Sequence, residues 1–366
     1  MRVLLCTPYD QGLMIAQGGI AVWARNIVEY GRKAKDDVEV VVVPFDRRTH
    51  VNNGMGLFKR FWCGMKEYSS AIRSTKKLLR KEKYDVLHLC TSASVSLLKD
   101  IFILRMAKRK GVKTAIHFHF GRIPNVLKEK GWEWKLLKRT IQLADVAITM
   151  DMRSYNTLFE ARFTNVHYLP NPLSESIMNQ VSAEKDKIRH IPNKILFVGH
   201  VIPTKGIFEL IDACVEIAGV DLHVVGRATP EMISEIKKRA NNGNWLVLEG
   251  EKPHNEVIRE MLSSQLFVLP TYTEGFPNVI LEAMACGCAI VTTPVGAIPE
   301  MLAIGDENAS GLCCAPKDVE GLRKNILIFL ENHEKAHVYG ERARRRVHEL
   351  YAVPHVWEQL VNIWKL

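Results

Sequence analysis

No apolar run in this 366-residue sequence approaches the roughly 18 residues that would span a bilayer. Met1 to Cys6 lacks a signal-peptide hydrophobic region and reads as a strand cut short by Pro8. Both point to a cytoplasmic protein. None of the eight cysteines has C-x-x-C spacing: Cys286 and Cys288 form a C-x-C, Cys313 and Cys314 are adjacent, and the others are scattered. They are expected to be reduced, small core residues and not metal ligands or bridges. No G-x-G-x-x-G follows a strand, which counts against a nicotinamide-dependent Rossmann enzyme. No Asp-x-Asp occurs, so nothing supports a carboxylate pair holding a metal ion against a phosphate. Neither a metal nor another cofactor is expected.

The hydrophobic content of 47% with 25% charged residues is that of a globular protein. The chain is too long for one ordinary core, so two domains are expected. Charge divides them. Residues 1–172 carry 30 Lys and Arg against 15 Asp and Glu, so the net +10 belongs wholly to the first half and the rest is acidic. One half should face an anionic partner: a membrane surface, nucleic acid or a phosphorylated acceptor. No nucleic-acid-binding motif accompanies the charge, and none is expected to bind.

The most informative stretch is Thr273 to Ala289, TEGFPNVILEAMACGCA. Leu266 to Pro270 before it reads as a buried parallel strand. Gly275, Phe276 and Pro277 open a turn, and helical spacing runs from Asn278 to a stop at Gly287. Glu274 therefore lies on a loop at the carboxyl end of a strand, and Glu282 just over one turn into the next helix. Ligands of open α/β sheets bind at that edge. Two carboxylates can accept hydrogen bonds from two hydroxyl-bearing parts of one ligand. The helix start between them, Gly275 to Asn278, offers N–H groups and a positive dipole end suited to phosphate. Hydroxyls, anion, hydroxyls is the order of groups in a sugar joined through a diphosphate to a nucleoside.

Glu274-Gly-Phe-Pro-Asn-Val-Ile-Leu-Glu282, followed by Ala-Met-Ala-Cys-Gly, resembles the E-x7-E signature of the retaining glycosyltransferases of family four. That resemblance implies an α/β GT-B fold: two Rossmann-like domains facing each other across a deep cleft, with a C-terminal helix crossing back to the first. It implies transfer of a sugar from a nucleotide-sugar donor with retention of anomeric configuration. By the same resemblance, residues 1–172 with 353–366 would bind the acceptor and residues 173–352 the nucleotide sugar.

Other candidates follow along the chain. Gly18-Gly19 introduces a helix over about Ile20 to Tyr30. The resemblance makes Gly19 a donor-diphosphate contact. Leu57 to Lys83 mixes aromatic and basic residues, among them Phe58, Phe61, Trp62, Lys76 and Lys77. It suits one or two amphipathic helices lying on an anionic membrane. Thr114 to Gly121 reads as a strand with His117 and His119 on one face. The family has a cleft histidine here, and His119, nearer the glycine, is the better match. The His-x-His spacing shows no third metal ligand in sequence. Leu127 to Leu143 reads as one helix, and Pro170 to Pro192 as the domain linker. Lys205, just before a helix start, matches the family's phosphate-binding lysine. His200 stands where the family usually has arginine, leaving Arg227 as the candidate compensating cation. Glu300 is expected to be structural. Val356, Trp357, Leu360, Val361 and Trp364 mark a final helix with one apolar face.

These readings make the chain a metal-independent hexosyl- or N-acetylhexosaminyltransferase. The expected donor is a UDP-sugar and the acceptor a glycan, lipid-linked, in cell-surface polysaccharide or glycolipid assembly. The enzyme would sit peripherally on the inner face of the membrane. The alternatives are a GT-B sugar-nucleotide enzyme of another reaction, such as an epimerase, and, behind it, a basic nucleic-acid- or membrane-binding module.

Overall fold

The computed structural model describes residues 1–7, 18–43 and 57–366, with side chains described from residue 66 in the last stretch. Residues 8–17 and the aromatic side chains of Phe58, Phe61 and Trp62 fall outside the described residues. By internal contacts the chain divides into two compact units, Met1–Pro172 with Val353–Leu366, and Leu173–Ala352.

The first unit alternates strand and helix: β1 (Arg2–Cys6), α1 (Gly19–Gly31), β2 (Glu39–Val42), α2 (Leu57–Lys81), β3 (Val86–Thr91), α3 (Ser96–Lys108), β4 (Lys113–Phe118), α4 (Ile123–Glu129), α5 (Trp132–Leu143), β5 (Val146–Thr149), α6 (Met152–Glu160) and β6 (Val166–Tyr168). All strand pairs are parallel, in the order β2-β1-β3-β4-β5-β6. β3 is buried along its whole length, as a central parallel strand covered on both faces must be. The period-2 alternation then assigns the two faces. Leu4, Leu87, Leu89 and Ile116 meet Leu79 of α2, Leu97 and Leu104 of α3, and Leu137 of α5. Val3, Leu5, Val86 and Ile148 point the other way, toward Trp23 and Ile27 of α1.

The expected single helix over Leu127 to Leu143 is two. Lys130 adopts the left-handed conformation (φ 52°) and Gly131 restarts the chain, so α4 ends and α5 begins within three residues. The expected linker also contains structure. Ser174 accepts a hydrogen bond from the Ile177 N–H and starts α7 (Glu175–Glu184), which buries Ile177 and Val181 one turn apart.

The second unit continues with β7 (Ile191–Val198), α8 (Ile207–Cys214), β8 (Asp221–Val225), α9 (Pro230–Arg239), β9 (Leu246–Gly250), α10 (His254–Ser263), β10 (Ser264–Leu269), α11 (Asn278–Cys286), β11 (Ala289–Thr292), α12 (Ile298–Met301), β12 (Leu312–Cys313), α13 (Val319–Glu331) and α14 (His333–Leu350). Its parallel sheet has the order β12-β11-β10-β7-β8-β9. The chain then returns to the first unit with α15 (Val353–Lys365), whose Val356, Trp357, Leu360 and Trp364 bury against α1. Trp357 donates its indole N–H to Asp36 at 2.5 Å. The described cysteines are free, and all but the half-buried Cys313 are buried. Among the described residues no helix is long and apolar enough to cross a membrane.

Candidate active site

In the second sheet the chain leaves β7 toward β8 and β9, then returns to the other side of β7 as β10. The order therefore reverses between β7 and β10, and their carboxyl ends part to leave a crevice. Two loops border it. After β7 runs His200 to Ile202 and a single tight turn, Pro203–Lys205, before α8; after β10 runs Pro270 to Pro277 before α11. The loops are stitched together: the Tyr272 N–H donates to the Thr204 carbonyl at 2.9 Å, and the Thr271 hydroxyl reaches the same oxygen at 3.4 Å. Gly206 is left-handed (φ 73°), and a Cβ there would run into the Pro270 carbonyl. Only glycine allows this approach. It brings Lys205 beside Glu274, and the two form an ion pair with side chains 25% and 12% exposed.

A second brace holds the Glu274 loop from behind. Gly296 (φ 57°) lies against the Glu274 and Gly275 carbonyls, and the Ala297 N–H donates to Gly275 at 2.8 Å. Phe276 is buried edge-on to Tyr351, with ring centroids 5.5 Å apart. Pro277 caps α11, which is buried without a break from Ile280 to Cys286. Glu282, 9% exposed, meets His254 Nε2 at 3.1 Å. The strand–turn–helix frame thus fixes two carboxylates, a lysine and the open first turn of a helix along one edge. The first N–H groups of any helix lack intrahelical partners, so the edge can accept from hydroxyls at Glu274 and Glu282 and donate to an anion between them.

His200 is exposed, and the Val201 N–H beside it donates to the Arg227 carbonyl at 3.0 Å. Arg227 is exposed and makes no ion pair among the described residues. The two loops are thus joined beside His200 through the Arg227 backbone. Glu300 lies in α12, and its carbonyl accepts from the Arg346 guanidinium at 2.8 Å. His254 carried no signal in the sequence; only the packing of α10 against α11 brings it to Glu282.

Gly19 and His119 belong to the first unit. Gly19 is exposed at the first position of α1, after Gly18 in the left-handed region (φ 96°). Four residues on, Trp23 of the same helix lies 5.0 Å from the His119 ring and 4.9 Å from that of His117. The two histidines share a strand face, 3.9 Å between centroids. His117 is wholly buried and neither ring nitrogen has a partner, whereas His119 is half-buried. Burial pushes His119 down to about 3, with His88 adding to the shift, so its imidazole is neutral. Burial likewise takes His88 to about 3.

The sequence offered no third ligand for His-x-His, but the fold brings His88 and Cys90 of β3 to His117, with donor atoms within 4.8 Å. Trp364 donates its N–H to His88 Nδ1 at 2.9 Å, which leaves the ring proton on Nε2, so neither His88 nitrogen is set to ligate an ion.

The first sheet reverses order between β1 and β3. At that point lies a cavity of about 290 Å³, lined by Ile20, Tyr68, Thr91, Ser94, Ser96 and Lys99 among others. Ala93 and Ser94 are both left-handed, at φ 63° and 60°. Such strain persists only when the surroundings impose it. Here Thr91 accepts from the Ala93 N–H at 3.1 Å and donates to the buried Asp100 at 2.6 Å, and Lys99 pairs with Asp100. The run Thr91 to Ser96 was missed because nothing in its composition separates it from an ordinary turn.

Comparison with known proteins now places this architecture. The family described as Glycosyltransferase Family 4 matches residues 17–176, and that described as Glycosyl transferases group 1 matches residues 179–346. An uncharacterised glycosyltransferase of Methanocaldococcus jannaschii is 24% identical, over 99% of this chain and 96% of that protein. Among solved structures, sucrose-phosphate synthase of Thermosynechococcus elongatus superposes with a TM-score of 0.77 at 18% identity, covering 100% of this chain and 98% of the other. HepE of Anabaena in complex with UDP gives 0.70 at 16% identity, covering 99% of both chains. The chain belongs to the group 1, family 4 glycosyltransferases and has the GT-B fold.

Proposed function

We propose that this glycosyltransferase moves a hexosyl or N-acetylhexosaminyl group from a UDP-sugar to a lipid-linked glycan, with retention of anomeric configuration. The observation that carries the reading is the placement of Glu274, Lys205 and the start of α11 on two stitched loops at the β7–β10 switch point. Glu282 would bind the ribose hydroxyls and Glu274 those of the transferred sugar. The diphosphate would lie against Lys205 and the N–H groups of Gly275 to Asn278, with His200 and Arg227 supplying further donors and charge. Donors aimed at a departing diphosphate stabilise the charge that grows on it as the glycosyl bond breaks.

The acceptor hydroxyl attacks the anomeric carbon from the side the diphosphate leaves. The carbon–phosphate oxygen bond breaks, the new glycosidic bond forms, and the acceptor proton passes to the departing phosphate oxygen. His119, neutral because its pKa is lowered to about 3, suits hydrogen bonding to the sugar or acceptor. At that pKa it is a weak base, which favours the phosphate as proton acceptor. The cavity beside Thr91 to Lys99 is the candidate acceptor pocket. HepE's complex with UDP supports the choice of base.

The test is a screen of nucleotide sugars for a rise in melting temperature, followed by transfer with the best donor and NMR of the product's anomeric centre. A retained α- or β-configuration supports the reading. An inverted product, or an epimerised free nucleotide with no second molecule glycosylated, would contradict it.

A further inference from the structure

Helices α2, α3 and α5 form one layer over the same sheet face, with α3 packed against both of its neighbours. The outer side of that layer has an unusual make-up. On α3, Val95 just before its start, Leu98 and Phe102 are 47%, 48% and 60% exposed. They recur at steps of three and four residues, so they form one stripe, and Arg105 and Arg109 continue it past the helix end. Trp132, at the first position of α5, is 57% exposed. Scattered apolar residues on a surface need no explanation, but a stripe at helical spacing does.

The charge around the stripe is of one sign. The three helices together hold fourteen Lys and Arg and only three carboxylates, Glu67, Asp100 and Glu133. Asp100 is buried and paired with Lys99; Glu133 is paired with Arg122. On α2, Lys66, Lys76, Lys77 and Arg80 are exposed and form no ion pair among the described residues. On α5 the same holds for Lys135, Lys138 and Arg139. Because every strand is parallel, the crossover helices α3 and α5 run the same way. Their apolar ends therefore gather at the carboxyl edge of the sheet, and Arg105, Arg109, Lys138 and Arg139 gather toward the other edge.

We infer that the outer face of the α2–α3–α5 layer lies on an anionic lipid bilayer, with Leu98, Phe102 and Trp132 entering the headgroup region and the flanking cations meeting the lipid charge. The inference deepens the proposed lipid-linked acceptor and rests on that reading for its purpose. It adds an apolar anchor on α3 to the basic helix α2 that the sequence suggested. A nucleic acid would match the charge but not the apolar stripe, whereas a bilayer takes both. The cavity beside Thr91 to Lys99 opens next to the stripe and shares Val95 with it. A headgroup-borne acceptor would reach the cavity without leaving the membrane surface.

Two double variants test this: Leu98→Ser with Phe102→Ser, and Arg105→Gln with Arg109→Gln. Co-sedimentation is measured with phosphatidylcholine vesicles, with and without one-third phosphatidylglycerol, and melting by UDP-induced stabilisation is read on the same preparations. The wild type should sediment with the anionic vesicles only. The arginine pair should weaken binding about thirtyfold, from on the order of 1 kcal/mol per charge. The apolar pair should weaken it at least about tenfold, while UDP stabilisation stays unchanged in both. Wild-type binding that is absent, indifferent to lipid charge, or unaltered in both variants would overturn the inference. Binding to duplex RNA without vesicle binding would assign the face to nucleic acid. Failure of UDP to stabilise the wild type would instead strike the donor reading.

Discussion

Glu274 and Lys205 satisfy one another across two loops, and the donor reading gives each a separate ligand group. Removing either should therefore affect turnover far more than folding. Glu274→Ala and Lys205→Ala are each expected to lower kcat by about 100- to 1000-fold, the range for removing one preorganised group that meets transition-state charge. Glu282→Ala should instead raise the donor KM about tenfold or more, since the ribose contact is made equally before and during reaction. Steady-state kinetics separates the two patterns. Gly206 tests the scaffold and not the chemistry. Gly206→Ala places a Cβ at φ 73° against the Pro270 carbonyl, so it should cost about 2 kcal/mol or more in thermal unfolding and also reduce activity. Single residues were unevenly legible. The Glu274–Glu282 frame could be read because its glycine, proline and carboxylates each have a fixed local job. His254 and His88 could not, because their roles come from helices and strands distant in sequence.

At the scale of elements, the histidine cluster and α15 form one buried system. Trp364 donates to His88 Nδ1, which only a neutral imidazole can accept. His88 and His119 are both lowered to about 3 by burial. An unfolded histidine takes up its proton near pH 6.5, whereas these folded ones stay neutral to about 3. In that window the unfolded state binds more protons, so stability is fully present above about pH 6.5 and falls as pH drops. Each histidine should contribute a slope of about 1.4 kcal/mol per pH unit. Urea unfolding at stepped pH should show the loss, and His88→Phe should remove that residue's share of the slope. The anchor itself is large: Trp364 is 1% and Trp357 4% exposed. Trp357→Ala should destabilise the first unit by about 3 to 5 kcal/mol. The apolar stripe of α15 was readable in the sequence for this reason. Helix α7 was not, because Pro170-Asn171-Pro172 and polar residues mask a helix that buries only Ile177 and Val181. The α4–α5 break escaped because a lysine, not the glycine beside it, takes the left-handed position.

Across the whole molecule, two sheets built on the same rule each reverse strand order once, and each has its polar, strained or paired groups at that reversal. In the second unit the reversal carries Lys205 and Glu274; in the first it carries the cavity beside Thr91 to Ser96. Alternating strands and helices announce such sheets in sequence, and strand order, set by long-range pairing, does not. The charge division was legible throughout, but the sequence could not show that the exposed apolar stripe belongs to α3. The account depends on the second reversal being a nucleotide-sugar site. The most direct measurement is isothermal titration of UDP and UDP-sugars into the wild type, Glu274→Ala and Lys205→Ala, each checked for native melting. The account predicts saturable binding to the wild type, weakened by Lys205→Ala for UDP and UDP-sugar alike, and weakened by Glu274→Ala for the UDP-sugar but not for UDP. Equal binding of both ligands by all three proteins would contradict it.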